Sequence, residues 1–245
     1  MKTSNILFTT AILFFLSYLV IFDFGLKSQY HSIKKMGLAN YEKAHRFDDF
    51  KKVKVGSFKN IDLKVSNLVN VRIEYGEQEA VYILNYLSGA IQIDNKTNHL
   101  FVYINKNWKG NYFANQEFAV IIITKKIDKL TTLKVPEKRG FESYRNEVSG
   151  FTQDSMSLSL SDSTKVDLTN NTIGSLEAKV GNGLAGGDFY VADNNKIKSM
   201  KIFAQGKSTV QLFNSDIIYL ENHLSDSAKV TLKGNVLKGI SKEVK

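Results

Sequence analysis

A short motif returns in the second half of the chain and limits what it can fold into. Ser163-Thr-Lys-Val-Asp-Leu168, Lys207-Ser-Thr-Val-Gln-Leu212 and Ser227-Ala-Lys-Val-Thr-Leu232 each set small polar residues ahead of Val-x-Leu. The central valines are 166, 210 and 230, and Gly187-Asp-Phe-Tyr-Val191 falls midway in the larger gap, so the period is about 20–22 residues. A second thread runs beside the first: Met156-Ser-Leu-Ser-Leu160, Leu176-Glu-Ala-Lys-Val180, Met200-Lys-Ile-Phe203 and Ile217-Ile-Tyr-Leu220. Each repeat thus offers two or three short strands with one residue in two facing inward. A leucine-rich array would need a denser Leu/Asn ladder. The expected fold is all-β, a single-chain β-helix (solenoid) with Val and Leu inside and Ser, Lys and Asp outside. Turns about 4.8 Å apart would give roughly nine turns over residues 53–240, a rod on the order of 40 Å long. The alternative is a β-sandwich.

The first half also reads as strands. Ile61, Leu63 and Val65 alternate with Asp62 and Lys64; Val69, Val71, Ile73 and Tyr75 alternate with Asn70, Arg72 and Glu74. Ala90–Ile93, Leu100–Ile104, Phe118–Thr124 and Leu133–Val135 follow, each bounded by Gly, Asn, Asp or Ser. Residues 27–52 lack this alternation. Their weak helical spacing, interrupted by Gly37, marks a linker with at most one short helix. Residues 241–245 form a charged tail.

Five segments of the body, Phe58–Val65, Val69–Gly76, His99–Ile104, Phe118–Ile123 and Leu130–Val135, resemble the opening of the auto-transporter adhesin head GIN domain family. The turns Val180-Gly-Asn-Gly183 and Gly186-Gly-Asp188 resemble that family's small-residue turns, although this chain has fewer glycines there. The resemblance covers about residues 53–240. It implies a β-helix behind an export signal or anchor, and it carries no catalytic residues.

At the N-terminus, Ile6 to Phe22 is apolar except for Thr9, Thr10, Ser17 and Tyr18, and no charge appears between Lys2 and Asp23. Seventeen residues at a helical rise of about 1.5 Å cover roughly 25 Å, near the lower limit for a bilayer span. The internal hydroxyls can bond back to the carbonyl four residues earlier. Residues 1–26 are therefore expected to be a membrane anchor or signal segment. The only small residues past the apolar core, Gly25 and Ser28, follow Asp23 and Leu26 by two positions, which makes a poor cleavage site and favours the uncleaved anchor. Lysines after the segment outnumber Lys2 before it, which would place the body in the cytoplasm. A short Met-Lys start and the ease with which large domains translocate favour export, to the periplasm or the cell exterior.

The whole chain of 245 residues carries a formal charge of +9, and the excess is local. Residues 27–64 hold ten Lys or Arg against four acids. Lys27, Lys34, Lys35, Lys51 and Lys52 in this stretch are candidate contacts for anionic lipid headgroups. Four scattered Arg and the absence of a reading motif speak against nucleic acid. Without cysteine there is no disulfide, thiolate metal site or thiol nucleophile. His31, His45, His99 and His223 form no metal-ligand spacing, and neither a Gly-x-Ser-x-Gly elbow nor a phosphate-cradling loop occurs. Gly186-Gly-Asp188 matches half of a calcium nonapeptide but does not repeat, and reads as a turn. Asp188 and Asp193 near Lys196 suit a polysaccharide lyase on a β-helix, though charged turns on such a scaffold are usually solvated faces. Trp108, Tyr112 and Phe113, among Asn and Lys, are candidate contacts for a glycan or an envelope protein, or a cover for one end of the fold. The chain reads as a non-catalytic, membrane-anchored, adhesin-like binding or structural module of the cell envelope, with no cofactor. The alternatives are a polysaccharide-active enzyme and a cytoplasm-facing domain held to anionic lipid.

Overall fold

The computed structural model describes residues 3–36, 45–105, 118–135, 144–192 and 194–236. The chain divides into two compact units, residues 1–49 and 50–245.

The first unit is built on one helix, α1 (Thr3–Met36), with no proline along its 34 residues. Two local contacts stabilise it: the Ser17 hydroxyl donates to the Leu13 carbonyl at 2.8 Å, and Lys27 pairs with Asp23 at 2.7 Å, one turn earlier. Lys34 and Lys35 occupy the last turn, where cations favour the carbonyl end of the helix dipole. The stretch Leu7–Ser32 has a mean hydropathy of 2.1, and none of its most apolar window is buried. Leu7, Phe8, Phe14 and Ile21 are each about 70% exposed. Twenty-six residues at about 1.5 Å per residue reach roughly 39 Å, enough to cross a bilayer by length and composition. The helix continues ten residues beyond residue 26, because residues 27–36 hold neither Gly nor Pro to break it.

The second unit is mostly β, with two large mixed sheets. Its strands are β1 (Phe50–Val53), β2 (Phe58–Lys64), β3 (Asn70–Tyr75), β4 (Ala80–Leu84), β5 (Ile91–Lys96) and β6 (Asn98–Ile104). Then come β7 (Phe118–Thr124), β8 (Lys129–Thr132), β9 (Asn146–Ser149), β10 (Thr152–Leu160), β11 (Lys165–Thr169) and β12 (Thr172–Val180). The last five are β13 (Asp188–Val191), β14 (Lys196–Ala204), β15 (Thr209–Phe213), β16 (Asp216–Leu224) and β17 (Lys229–Lys233). The nine-stranded sheet runs β1-β4-β7-β3-β9-β11-β13-β15-β17, and the eight-stranded sheet β16-β14-β12-β10-β8-β2-β6-β5. Alternate residues of both sheets turn inward and share one apolar core, which gives a sandwich-like layering.

From β8 onward successive strands fall in alternate sheets, and each pairs in parallel with the next but one. Thr152 lies opposite Thr172, Thr172 opposite Lys196, and Lys196 opposite Asp216. In the other sheet Lys165 faces Asp188, Asp188 faces Thr209, and Thr209 faces Lys229. The Val-x-Leu thread supplies the nine-stranded sheet, and the second thread the eight-stranded one. The connections repeat as well. Gly150, Asn170, Asn194, Asn214 and Gly234, at φ of 82°, 57°, 61°, 46° and 68°, hold the left-handed conformation at equivalent turns, where only Gly and Asn fit readily. Inside that corner Asn171 accepts from the Phe151 amide at 3.0 Å and donates to the Val148 carbonyl at 3.0 Å, while the Asn171 amide donates to Asn195 at 3.0 Å. These buried amides satisfy backbone groups that the crossing between sheets would leave unpaired.

Three expectations are corrected in detail. The step between Thr172 and Lys196 is longer than 22 residues because the Gly181–Gly187 connection is longer than its neighbours. Asp162 holds that loop by accepting from the amides of Asn182 (2.9 Å), Gly183 (3.0 Å) and Ala185 (3.3 Å). Gly186 turns there at φ 73°, and a Cβ would sit 2.2 Å from the Ser208 nitrogen, so Gly186-Gly-Asp188 is part of a turn. The first half also departs from a uniform parallel repeat. β4 pairs antiparallel with β1 and β7, and β5 with β6, so roughly nine equivalent turns from residue 53 are not what the pairing contains. The β5–β6 turn is a tight hairpin with Thr97 and Asn98 at φ 37° and 67°, and it lacks the glycine that would advertise it. Leu133–Val135, expected as a strand, lies beyond the end of β8.

Candidate functional site

With the core inside, binding chemistry falls to the outer faces. On the nine-stranded sheet, Arg72, Glu147, Asp167, Tyr190 and Gln211 stand in one cross-strand row. Glu147 and Asp167 are neighbouring carboxylates, and both are more than nine-tenths buried. Arg145 projects on the same face and reaches Glu147 at 3.3 Å and Asp167 at 2.5 Å. Arg72 lies 3.4 Å from Glu147, with its guanidinium carbon 4.0 Å from the Phe118 ring centroid. Lys165 lies 3.8 Å from Asp167 and 4.3 Å from the Tyr190 centroid. Burial outweighs these cations and pushes the Asp167 carboxyl above its ordinary value of 3.8. Asp188, half-buried, is raised by burial too, against a hydrogen bond to Thr209 and the charge of Lys165. Each acid in the row is matched by a cation, so the face is an ion-pair lattice that ties β3, β9 and β11 together.

The eight-stranded sheet carries a depression instead. Thr131, Ser159, Lys179, Phe203 and His223 are cross-strand partners on β8, β10, β12, β14 and β16. Short side chains at Thr131 and Ser159, and the bare backbone of Gly181, lie between taller neighbours. The result is a groove of about 290 Å³, bordered by Leu133, Ser161, Asn182, Phe203 and Gln205. Gly181 is required there: φ is 77°, and a Cβ would lie 2.5 Å from the Ser208 hydroxyl. Phe203 is fixed by stacking on His223, with centroids 4.8 Å apart and planes 11° apart. Lys201 (5.2 Å) and Lys179 (6.0 Å) approach the same ring. Their charges are matched by Glu221 at 2.8 Å and Glu177 at 3.2 Å. Hydroxyls, amides and one ring edge suit reversible binding of a polar ligand.

The residues expected from sequence are dispersed. Trp108, Tyr112, Phe113 and Asp193 lie outside the described residues. Lys27, Lys34 and Lys35 are on α1; Lys34 and Lys35 are exposed, and Lys27 is paired with Asp23. Lys51 and Lys52 are exposed on the edge strand β1, and Lys52 lies 5.7 Å from the Tyr82 ring centroid. Asp188 and Lys196 fall in different sheets. Among the described residues no group of three or more His, Asp or Glu is placed to hold a metal. The groove was missed because it depends on β8, β10, β12 and β14 lying side by side. Its one sequence signal is the alternation of Ser155, Ser157 and Ser159 along β10, continued by Ser161 just past its end.

No family model matches the chain, and no curated protein matches it. Among solved structures it is similar to a candidate adhesin from Bacteroides fragilis NCTC 9343, with 14% identity and a TM-score of 0.42, covering 75% of this chain and 96% of that one. It is also similar to a candidate lipid binding protein from Parabacteroides distasonis ATCC 8503, with 12% identity and a TM-score of 0.41, covering 76% and 96%. A candidate adhesin from Parabacteroides merdae ATCC 43184 has 13% identity and a TM-score of 0.31, covering 76% and 95%.

Proposed function

We propose that this chain is a non-catalytic binding module of the cell envelope, adhesin-like, anchored in the membrane by its N-terminal helix with the β body exported. The observation that carries the reading is α1: its Leu7–Ser32 stretch is long and apolar enough to span a bilayer, and its large apolar side chains are exposed. In this reading residues 1–26 anchor the chain, 27–52 connect, 53–240 form the body and 241–245 the tail, with the helix extending into the connection. The body winds as a β-helix related to the auto-transporter adhesin head GIN domain family. The parallel pairing of β8 to β17 and the recurring left-handed Gly/Asn turns support that winding. Trp108, Tyr112 and Phe113 add a second contact for a glycan or envelope protein. A reporter fused after Lys245, combined with protease treatment of intact cells and sealed spheroplasts, tests the topology. Digestion of the body from outside is expected; a body protected in sealed spheroplasts overturns export.

The lysines that follow the apolar segment favour a second reading, a cytoplasmic body drawn to anionic lipid through Lys27, Lys34, Lys35, Lys51 and Lys52. It requires that a form lacking residues 1–26 bind anionic vesicles and release them as salt is added.

A further inference from the structure

We propose that the groove floored by Thr131, Ser159 and Gly181 and walled by Phe203 and Gln205 binds a short neutral saccharide. The proposal rests on the binding-module reading above and assigns that module its ligand site. The volume, about 290 Å³, lies at the small end of ligand pockets, which suits one or two rings of a short chain. Among the described residues no hydrogen bond engages the side chains of Thr131, Ser159 or Gln205. Asn182 spends its oxygen on the Asp162 amide at 3.1 Å. Hydroxyls and amides therefore border the groove with capacity to spare, and they both donate and accept, as sugar hydroxyls do.

Other ligand chemistries fit less well. An acyl chain would strip water from Thr131, Ser159 and Gln205 without replacing their hydrogen bonds. A peptide strand has no edge to join, since β8, β10, β12 and β14 are each paired on both sides. An anion gains little, because Lys179 and Lys201 already face Glu177 and Glu221. A pyranose instead sets its C–H groups against the edge of Phe203, whose ring His223 and the two lysines hold in place, and turns its hydroxyls to the floor. Because no charge is exchanged, the binding is insensitive to salt.

The full chain in lipid nanodiscs, free of glycoside detergents, is titrated with maltotetraose, cellotetraose, chitotetraose and tetragalacturonate by saturation-transfer NMR and calorimetry. At least one neutral tetrasaccharide is expected to bind equally well with and without added salt. Phe203→Ala and Ser159→Tyr are each expected to weaken it about tenfold, and Tyr219→Ser, on the same sheet outside the groove, to leave it unchanged. Gln205→Ala alters an exposed side chain and keeps the comparison readable if Phe203→Ala fails to fold. Failure of every neutral saccharide, binding of tetragalacturonate alone with loss in salt, or binding that survives the groove variants overturns the proposal. Each outcome is read on purified protein, so a topology result against export leaves it separately scored.

Discussion

At the scale of single residues, the polar groups inside this body matter as much as the apolar ones. Asn171 is fully buried and serves the Phe151 amide and the Val148 and Thr169 carbonyls. Asn171→Ala leaves those groups unpaired where water does not reach, and is expected to cost about 2–4 kcal/mol in urea unfolding. Asp167 behaves oppositely. Its carboxyl is raised by burial although Arg145 and Lys165 face it and Glu147 adjoins it. Its protonated form is favoured in the folded state, so its contribution is fully present below the ordinary value of 3.8 and is lost as pH rises through the elevated one. Relative to Asp167→Asn, the natural protein should therefore lose melting temperature across that rise. A flat difference between the two would show that Arg145 fully offsets the burial. Neither role was legible in the sequence. Asn171 reads as an ordinary turn residue, and Asp167 as a solvated outward charge, until the neighbouring strands are known.

At the scale of elements, alternation and repeat foretold the strands of the second half and their two sequence threads, but not the two sheets those threads enter. The first half was less legible because its pairing depends on turns without a compositional mark, such as Thr97–Asn98, and on strands with ambiguous patterns, such as β1 and β4. A periodic pattern says which residues face inward; it does not say how many neighbours cover them. Leu168 and Leu232 hold the same place in the Val-x-Leu motif, yet Leu168 is fully buried within a paired strand, while Leu232 on terminal β17 is only partly buried. Leu168→Ala is expected to cost about 2–5 kcal/mol, and Leu232→Ala less than half as much, by chemical denaturation. Equal losses would mean that β17 is covered on its open side. The groove was the least legible part, since its lining residues are spread from Thr131 to Gln205 and meet only through register.

At the scale of the whole molecule, the two units differ in how much apolar surface they leave exposed. The β body gathers most of its large apolar side chains into a common core and leaves a few such as Leu184 and Ile218 exposed, whereas α1 exposes nearly all of its own. An exposed apolar stretch of 26 residues is costly in water, because about 25 cal/mol is lost for each Å² of apolar surface left hydrated. Lipid removes that cost, and the backbone tolerates the transfer because the helix satisfies its own hydrogen bonds. The full chain should therefore stay with the membrane pellet through alkaline carbonate extraction. Deleting residues 1–36 should release the body into the soluble fraction, with β-rich circular dichroism and a cooperative unfolding transition, since the body is a compact unit with its own apolar core. Release of the full chain by carbonate would mean that α1 lies on the surface or against another protein. A deleted body that aggregates would mean that the helix covers apolar surface on the β unit.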